Sequence, residues 1–429
     1  MSSGRHAFLE VADRIGRQLC RDAVWAGRRC NWLGWAVEQR RQLRVPVYRA
    51  QGASLHDGTA GIVLFLAELL RRTGDALVRR TLRAAVAQLT AAAETVPPFG
   101  LHCGQAGVVF ALVNAAEALD EPQWATRHLV PVPAAGAGEG ASFNVAEGIA
   151  GTVLALLASG EPGSVDAACA LGKPLLEAPH PGAELAATGY AYGASGMACA
   201  LAQLARATGE DVHRAAALEH LQAERAQPKP AEANGWSGGA PALVLSRLLL
   251  RDLLPEEAAA LAAEMEEALL QTQAALSRPV GPGQGFSLAY GAAGLADVLL
   301  VAGRALGRAD LRDAAEAVGR TGISLFHAQD MPWPCGVPVR GEAPNLMLGL
   351  AGIGYFYLRL HAPAHVPSVL FVSPAMFRRE SRWPAVSPDN SKQEHRPPLL
   401  VVGGSEEESH GRETDTIRNR KAGAASRPG

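Results

Sequence analysis

The chain has 429 residues, 48% of them hydrophobic and 19% charged, which is ample material for a large core. Forty basic residues against 42 acidic ones leave a net charge of −2, and no basic stripe precedes the C-terminal tail, which excludes an ordinary nucleic-acid surface. No apolar run reaches membrane-spanning length, the N-terminus lacks a signal-peptide apolar region, and the cysteines at 20, 30, 103, 169, 199 and 335 have no CxxC spacing, so a reduced, cytoplasmic protein without a disulfide framework is expected.

Residues 1–50 read as a lead-in segment. An amphipathic helix comes first, then Cys30-Asn31-Trp32-Leu33-Gly34-Trp35 and the extended Val45-Pro46-Val47-Tyr48. The tryptophans are expected to fill core space, as large aromatics usually do. From Leu55 a repeat begins. Gly-x-x-Gly motifs start at Gly58, Gly104, Gly148, Gly193, Gly291 and Gly349, and a variant ending in alanine starts at Gly239. The second small residue falls at 61, 107, 151, 196, 242, 294 and 352, at intervals of 46, 44, 45, 46, 52 and 58. A period near 45 residues marks a repeat architecture.

Every unit carries the same pattern: a short turn, the glycine motif, a nearly all-apolar helix, a loop, and a more amphipathic helix. A helix apolar all round must be buried on most sides, and an amphipathic one covers it from outside. The predicted fold is therefore all-α, an (α/α)7 toroid of two concentric helical rings over residues 51–376. The glycines would let backbones approach closely at the inner helix starts. An open solenoid is the alternative, but it needs polar capping repeats, and the terminal units are as apolar as the middle ones. Closure places all seven inner N-termini at one pole, round a shallow cup. Residues 361–376 read as an extended exit segment, and 377–429, rich in Ser, Pro, Glu, Arg and Lys, as a disordered tail.

Three stretches carry a family resemblance: His56-Asp57-Gly58-Thr59-Ala60-Gly61, Gly235-Trp236-Ser237-Gly238-Gly239-Ala240-Pro241, and the run from Pro344 to Tyr355. They resemble the LanC family of lanthionine cyclases. The lead-in Cys30 to Gly34 with Val45 to Arg49, and the exit Val366-Pro367-Ser368-Val369-Leu370, are similar to the C-terminal cyclase domain of class II (LanM-type) lanthipeptide synthetases. A freestanding cyclase-like domain, without the dehydratase half of such a synthetase, is expected. The resemblance implies addition of a peptide cysteine thiolate to dehydroalanine or dehydrobutyrine, aided by a zinc ion that lowers the thiol pKa. It also implies a precursor peptide, or a lanthipeptide dehydratase or synthetase, as partner.

The family's chemistry is not carried over residue by residue. Where the resemblance puts zinc ligands, this chain has Ser237, Ala289 and Tyr290; where it puts a proton-handling His and an Asp, it has Tyr192 and Asn144. An alanine ligates nothing, an amide does not ionise, and a phenol titrates near ~10. The expectation is that the family zinc is lost and that no cofactor replaces it. Tyr192 and Tyr290 are candidates for donating a proton or hydrogen bond, against a simpler reading in which they fill vacated space. His56 with Asp57, and His102 with Cys103, hold the two places before Gly58 and Gly104, so a metal site relocated to His56, His102 and Cys103 is a second candidate, against plain packing. Cys335, in the long sixth connection, could face the cup. Three functions stay open: a LanC-like protein that binds a dehydrated precursor or cyclises it without zinc, as some class III lanthionine-forming enzymes do; a different chemistry in the same cup; or an inactive remnant or scaffold partner of a larger synthetase.

Overall fold

The structure is a computed structural model that describes residues 2–40, 43–124, 141–178, 189–227, 235–278, 280, 284–337 and 341–372. The expected tail, 377–429, lies outside the described residues. The first helix, α1 (Ser2–Asp22), leads into two antiparallel ribbons, β1 (Val24–Ala26) with β2 (Arg29–Asn31) and β3 (Leu33–Arg40) with β4 (Leu43–Ala50). Seven helices then begin one residue after a motif's first glycine: α2 (Thr59–Thr73), α4 (Gln105–Leu119), α5 (Ile149–Ser159), α7 (Ala194–Thr208), α9 (Ala240–Arg251), α11 (Ala292–Ala305) and α13 (Leu350–His361). Between them lie α3 (Ala76–Ala92), α6 (Ser164–Leu176), α8 (Asp211–Arg225), α10 (Ala258–Leu276) and α12 (Ala309–Gly322). The whole is a large, mostly helical domain whose helix-on-helix packing is of the α/α solenoid or toroid kind.

The glycine-led helices are buried almost all round; in α2 every residue from Thr59 to Leu70 is buried. The others bury one stripe, as α12 does with Leu311, Ala315, Gly319 and Gly322. Each of α3, α6, α8, α10 and α12 packs on the glycine-led helix before it. The last such helix, α13, receives α1 instead. Phe8, Val11, Ala12, Ile15 and Leu19 form one buried stripe at helical spacing. The Arg5 carbonyl also takes a 2.8 Å hydrogen bond from His361 Nδ1. The lead-in helix thus fills the outer place of the seventh unit. Among the described residues no outer helix follows α4.

The second glycine of the motif answers to its own unit first. A methyl added at Gly61, Gly107, Gly151, Gly196, Gly294 or Gly352 would strike the carbonyl oxygen six residues earlier, far inside van der Waals contact. The turn doubles back over the first turn of its helix, and only hydrogen fits beneath it. Neighbouring units come next: Gly61 faces Leu346, Gly107 faces Leu55, and Gly196 faces Val145. In the fifth unit the turn differs, with Gly235 at φ +114° and Gly239 at φ +82°, and there Ala242 is accommodated.

Backbone hydrogen bonds link the turns in one direction. The N–H two residues before a first glycine donates to the equivalent carbonyl of the next unit: His56 to His102 (2.8 Å), His102 to Ala146 (3.0 Å), Ala146 to Ala191 (2.9 Å), and Ala289 to Met347 (2.8 Å). Trp236 joins through Ala289 at 3.2 Å, and Met347 donates back to His56 at 2.9 Å. The seventh turn is therefore bonded to the first.

Residues 366–372 run inside these helices. The Val366 carbonyl accepts from Arg359 Nη1 (2.6 Å), near the end of α13, and Ser368 Oγ donates to Asp297 (2.6 Å), midway along α11. The Val369 carbonyl accepts from His102 Nε2 (3.0 Å), just before α4, and the Val372 N–H donates to the Tyr190 hydroxyl (2.9 Å), just before α7. The partners climb from helix ends to helix starts, so the segment ascends among the glycine-led helices toward the turns. Val369 and Leu370 are fully buried. The Arg359–Asp297 ion pair beneath them is buried too, and its remaining hydrogen-bonding capacity is met by Val366 and Ser368. That satisfaction is what makes a buried charge pair tolerable.

Two outcomes follow from this packing. Gly151→Ala or Gly294→Ala should lower stability by about 1–3 kcal/mol or more through overpacking, whereas Ala242→Gly should cost about 1 kcal/mol or less; urea titrations followed by circular dichroism measure both. Burial, with His56 nearby, holds His102 down at about 3, and burial lowers His56 as well. Below pH ~6.5 the unfolded chain takes up protons that the folded one refuses, so stability is full above that pH and falls as pH drops toward 3. Between pH 7.5 and 5 the loss from His102 should be about 2 kcal/mol. His102→Gln, which keeps a donor for Val369, should remove that part of the slope in denaturation measured at the two pH values.

Candidate functional site

The residue immediately before each first glycine stands at the mouth of the turns. In chain order these are Asp57, Cys103, Glu147, Tyr192, Gly238, Tyr290 and Leu348. Glu147 and Tyr290 are exposed, the latter by 50%, and the others are half-buried. The residue one earlier points inward: His102, Ala146, Ala191, Ala289 and Met347 are buried, and His56 is half-buried. Mouth and floor thus alternate along two consecutive residues of each turn.

The floor is aromatic. Trp236 is buried with its ring stacked near Tyr192, centroids 6.3 Å apart, and tilted against His102 at 4.5 Å. Because His102 donates from Nε2 to the Val369 carbonyl, the neutral ring keeps its lone pair at Nδ1. Neither that atom nor the Trp236 indole nitrogen has a hydrogen-bonding partner among the described residues.

At the mouth the titratable groups act on one another. Burial, then Cys103, Glu147, Tyr290 and Asp57, push the Tyr192 phenol well above its ordinary range. Burial, then Glu147 and Asp57, raise the Cys103 thiol likewise, and its Sγ lies 3.9 Å from Glu147 Oε1. At neutral pH the site therefore offers a protonated thiol and a protonated phenol. Both are donors, and neither is a nucleophile in that state.

Asn144 has a turn to hold. Its Oδ1 accepts from the Glu147 N–H (2.8 Å) and its amide donates to Ser142 (2.8 Å). Four residues before the first glycine, other units do the same with Ser54 (3.1 Å to the Asp57 N–H), Ser287 (3.5 Å to the Tyr290 N–H) and Asn345 (3.0 Å to the Leu348 N–H). The three remaining units have Gly100, Gly189 and Gly235 there, with φ of 104°, 102° and 114°. The position is thus taken by a side chain that caps the turn or by a glycine that adopts it bare.

The other candidates are placed as follows. Ser237 is half-buried beside the floor, Ala289 is buried with its backbone in the inter-turn ladder, and Tyr290 stands half out in solvent. A hydroxyl, a methyl and an exposed phenol do not make a zinc donor set. Nor are His56, His102 and Cys103 brought together as ligands. His102 is turned inward onto Val369 and Trp236, while Cys103 leans on Glu147. Among the described residues no group of three or more His, Cys, Asp and Glu is arranged to hold a metal ion. Cys335 is half-buried and tied to the Ala343 backbone, whose nitrogen lies 3.4 Å from its sulfur, and burial pushes its thiol up to about 12. Glu147 and Trp236 are the site residues that motif reading passed over. Counting one residue back from each first glycine finds Glu147; nothing in the spacing marks Trp236 as the floor.

No helix among the described residues is long and apolar enough to cross a membrane. The chain matches no curated protein sequence. Its structure is similar to that of nisin cyclase, with a TM-score of 0.55 and 14% identity over 76% of this chain and 92% of that one, a likeness of fold. Residues 49–371 match the family described as lanthionine synthetase C-like protein, from the last strand of the lead-in to the segment inside the helices. On that match the chain belongs to the lanthionine synthetase C-like family.

Proposed function

We propose that this chain is a LanC-like protein of lanthipeptide or related peptide maturation that holds a dehydrated precursor peptide in its cup without a resident zinc ion. In this reading the helices form the (α/α)7 toroid of seven glycine-motif units, of the LanM-type cyclase-domain kind, and the cup is the pole where the turns meet. The observation that carries the proposal is the donor set: Ser237, Ala289 and Tyr290 supply no metal-binding constellation, and Asn144 is spent on its turn. Trp236 in the floor, with Tyr192 and Tyr290 at the mouth, supplies the aromatic surface that a peptide side chain packs on.

Zinc-independent thioether formation is the second reading, and one observation favours it. Tyr192 is held protonated at the mouth, where a proton donor to an enolate would stand. A peptide carrying one dehydroalanine and one cysteine separates the two readings. Binding is expected by fluorescence anisotropy, and Tyr290→Ala should weaken it by about tenfold, as removal of an aromatic anchor does. The peptide's cysteine should remain open to alkylation at the rate seen without protein. Faster loss of the alkylatable thiol at unchanged peptide mass, read by mass spectrometry, would establish a cyclase and overturn the binding reading.

A further inference from the structure

The ribbon of β3 and β4 has one closed edge and one open edge. The Gln51 N–H donates to the Trp32 carbonyl at 2.9 Å, and these two residues continue the register that pairs Leu33 with Ala50. In an antiparallel ribbon, hydrogen-bonded and non-hydrogen-bonded pairs alternate. Even-numbered residues of β3 therefore bond to β4, while Leu33, Trp35, Val37 and Gln39 turn their N–H and C=O groups away from it. Pro46 lies opposite Val37, so its missing N–H takes nothing from the ladder and leaves the outer edge of β4 short of a donor. No proline interrupts β3, and among the described residues no further strand pairs with it. Such an edge is a template for another strand.

The ribbon also shows solvent an apolar face. Leu33 is 49% exposed and Tyr48 59%, and Tyr48 meets its cross-strand partner Trp35 edge-on at 5.4 Å. On the opposite face Gly34 and Ala36 are buried, and a methyl added at Gly34 would strike Pro344 in the seventh turn. β4 runs on through Gln51 into the first turn, so the root of β3 stands at the seam of the first and seventh turns, beside the mouth. The two strands hold Arg40, Arg44 and Arg49 against one acid, Glu38. We propose that β3 is a docking edge for an acidic, extended segment of the peptide held in the cup, which rests on the peptide-binding reading of that cup. The segment adds as a third strand, with apolar residues beside Leu33 and Trp35 and its acids drawn to the positive charge of the ribbon. Eight residues of strand span about 26 Å, and the end at the root leads into the mouth.

The probe is a fluorescein-labelled eight-residue peptide that alternates acidic residues with valine and leucine and has neither cysteine nor dehydroalanine. Anisotropy with the full chain should show binding that added salt weakens. Val37→Pro, which removes an outward N–H and spares the ladder, should weaken it about tenfold. Two N-methylated probes require no change in the protein. Methylation of one alternate set of amides should cost about tenfold more binding than methylation of the other, because a strand offers β3 one edge at a time. No binding by the plain probe, equal binding by the two methylated ones, or undiminished binding by a folded Val37→Pro chain would overturn the proposal. So would a dimer, seen by sedimentation, that Val37→Pro splits, since a second copy would then occupy the edge. Should Val37→Pro unfold the chain, the methylated pair decides. If the probe binds and the dehydroalanine–cysteine peptide does not, the cup reading fails and the docking edge stands; the reverse result removes the docking edge alone.

Discussion

The rest of the structure depends on a backbone donor passed from turn to turn. Among the described residues the first, second, third, fifth and sixth turns each offer one N–H to the carbonyl of the next, and Met347 returns it to His56. Buried backbone groups must be paired, and here the pairing itself sets the neighbour relation among units. For the turns to lie that close, each must fold back across its own helix start. That is why the second motif position is glycine in six units, and why the carbonyl six residues earlier is the obstacle. One constraint fixes both the shape of the unit and the order of the units.

The interior needs a second solution. Glycine-led helices packed side by side leave a space between them, and the chain fills it with its own residues 366–372. An irregular segment without sheet partners brings in unpaired backbone groups, each costly to bury. Arg359, His102 and Tyr190 answer them one by one, and Asp297 with Ser368 completes the set. These four polar residues inside the apolar core, Arg359, His102, Tyr190 and Asp297, serve that segment. The buried His102, which invites a catalytic or metal-binding reading, is neutral and anchors Val369.

Much of the fold was legible in the sequence because hydrophobic periodicity and glycine spacing report local needs. The seven buried helices, and the lighter burial of their partners, follow from apolar patterning. Three things were not legible. The lead-in helix shows an apolar stripe at Phe8, Val11, Ile15 and Leu19, but a stripe does not name its partner, and α13 lies more than three hundred residues away. The close approach at the glycines was expected between neighbours and is first of all within the unit. At the site, Asn144 resembled a weakened catalytic position until Ser54, Ser287 and Asn345 were seen doing the same work. Comparison across units, rather than residue chemistry alone, separates a turn former from a reactive group. The mouth residues were legible by register, and the aromatic floor was not, since Trp236 reaches it only through the altered turn of the fifth unit.

The place of α1 also has a consequence in time. A ribosome makes this helix more than three hundred residues before α13, the helix it packs on. Until then Phe8 and Ile15 lack the cover of α13, and the turn of the first unit has no Met347 to bond with. The bond between the seventh turn and the first, and the seat of α1 on α13, wait until that late part of the chain is made, and until then the apolar stripe of α1 is open to chaperones and to other chains.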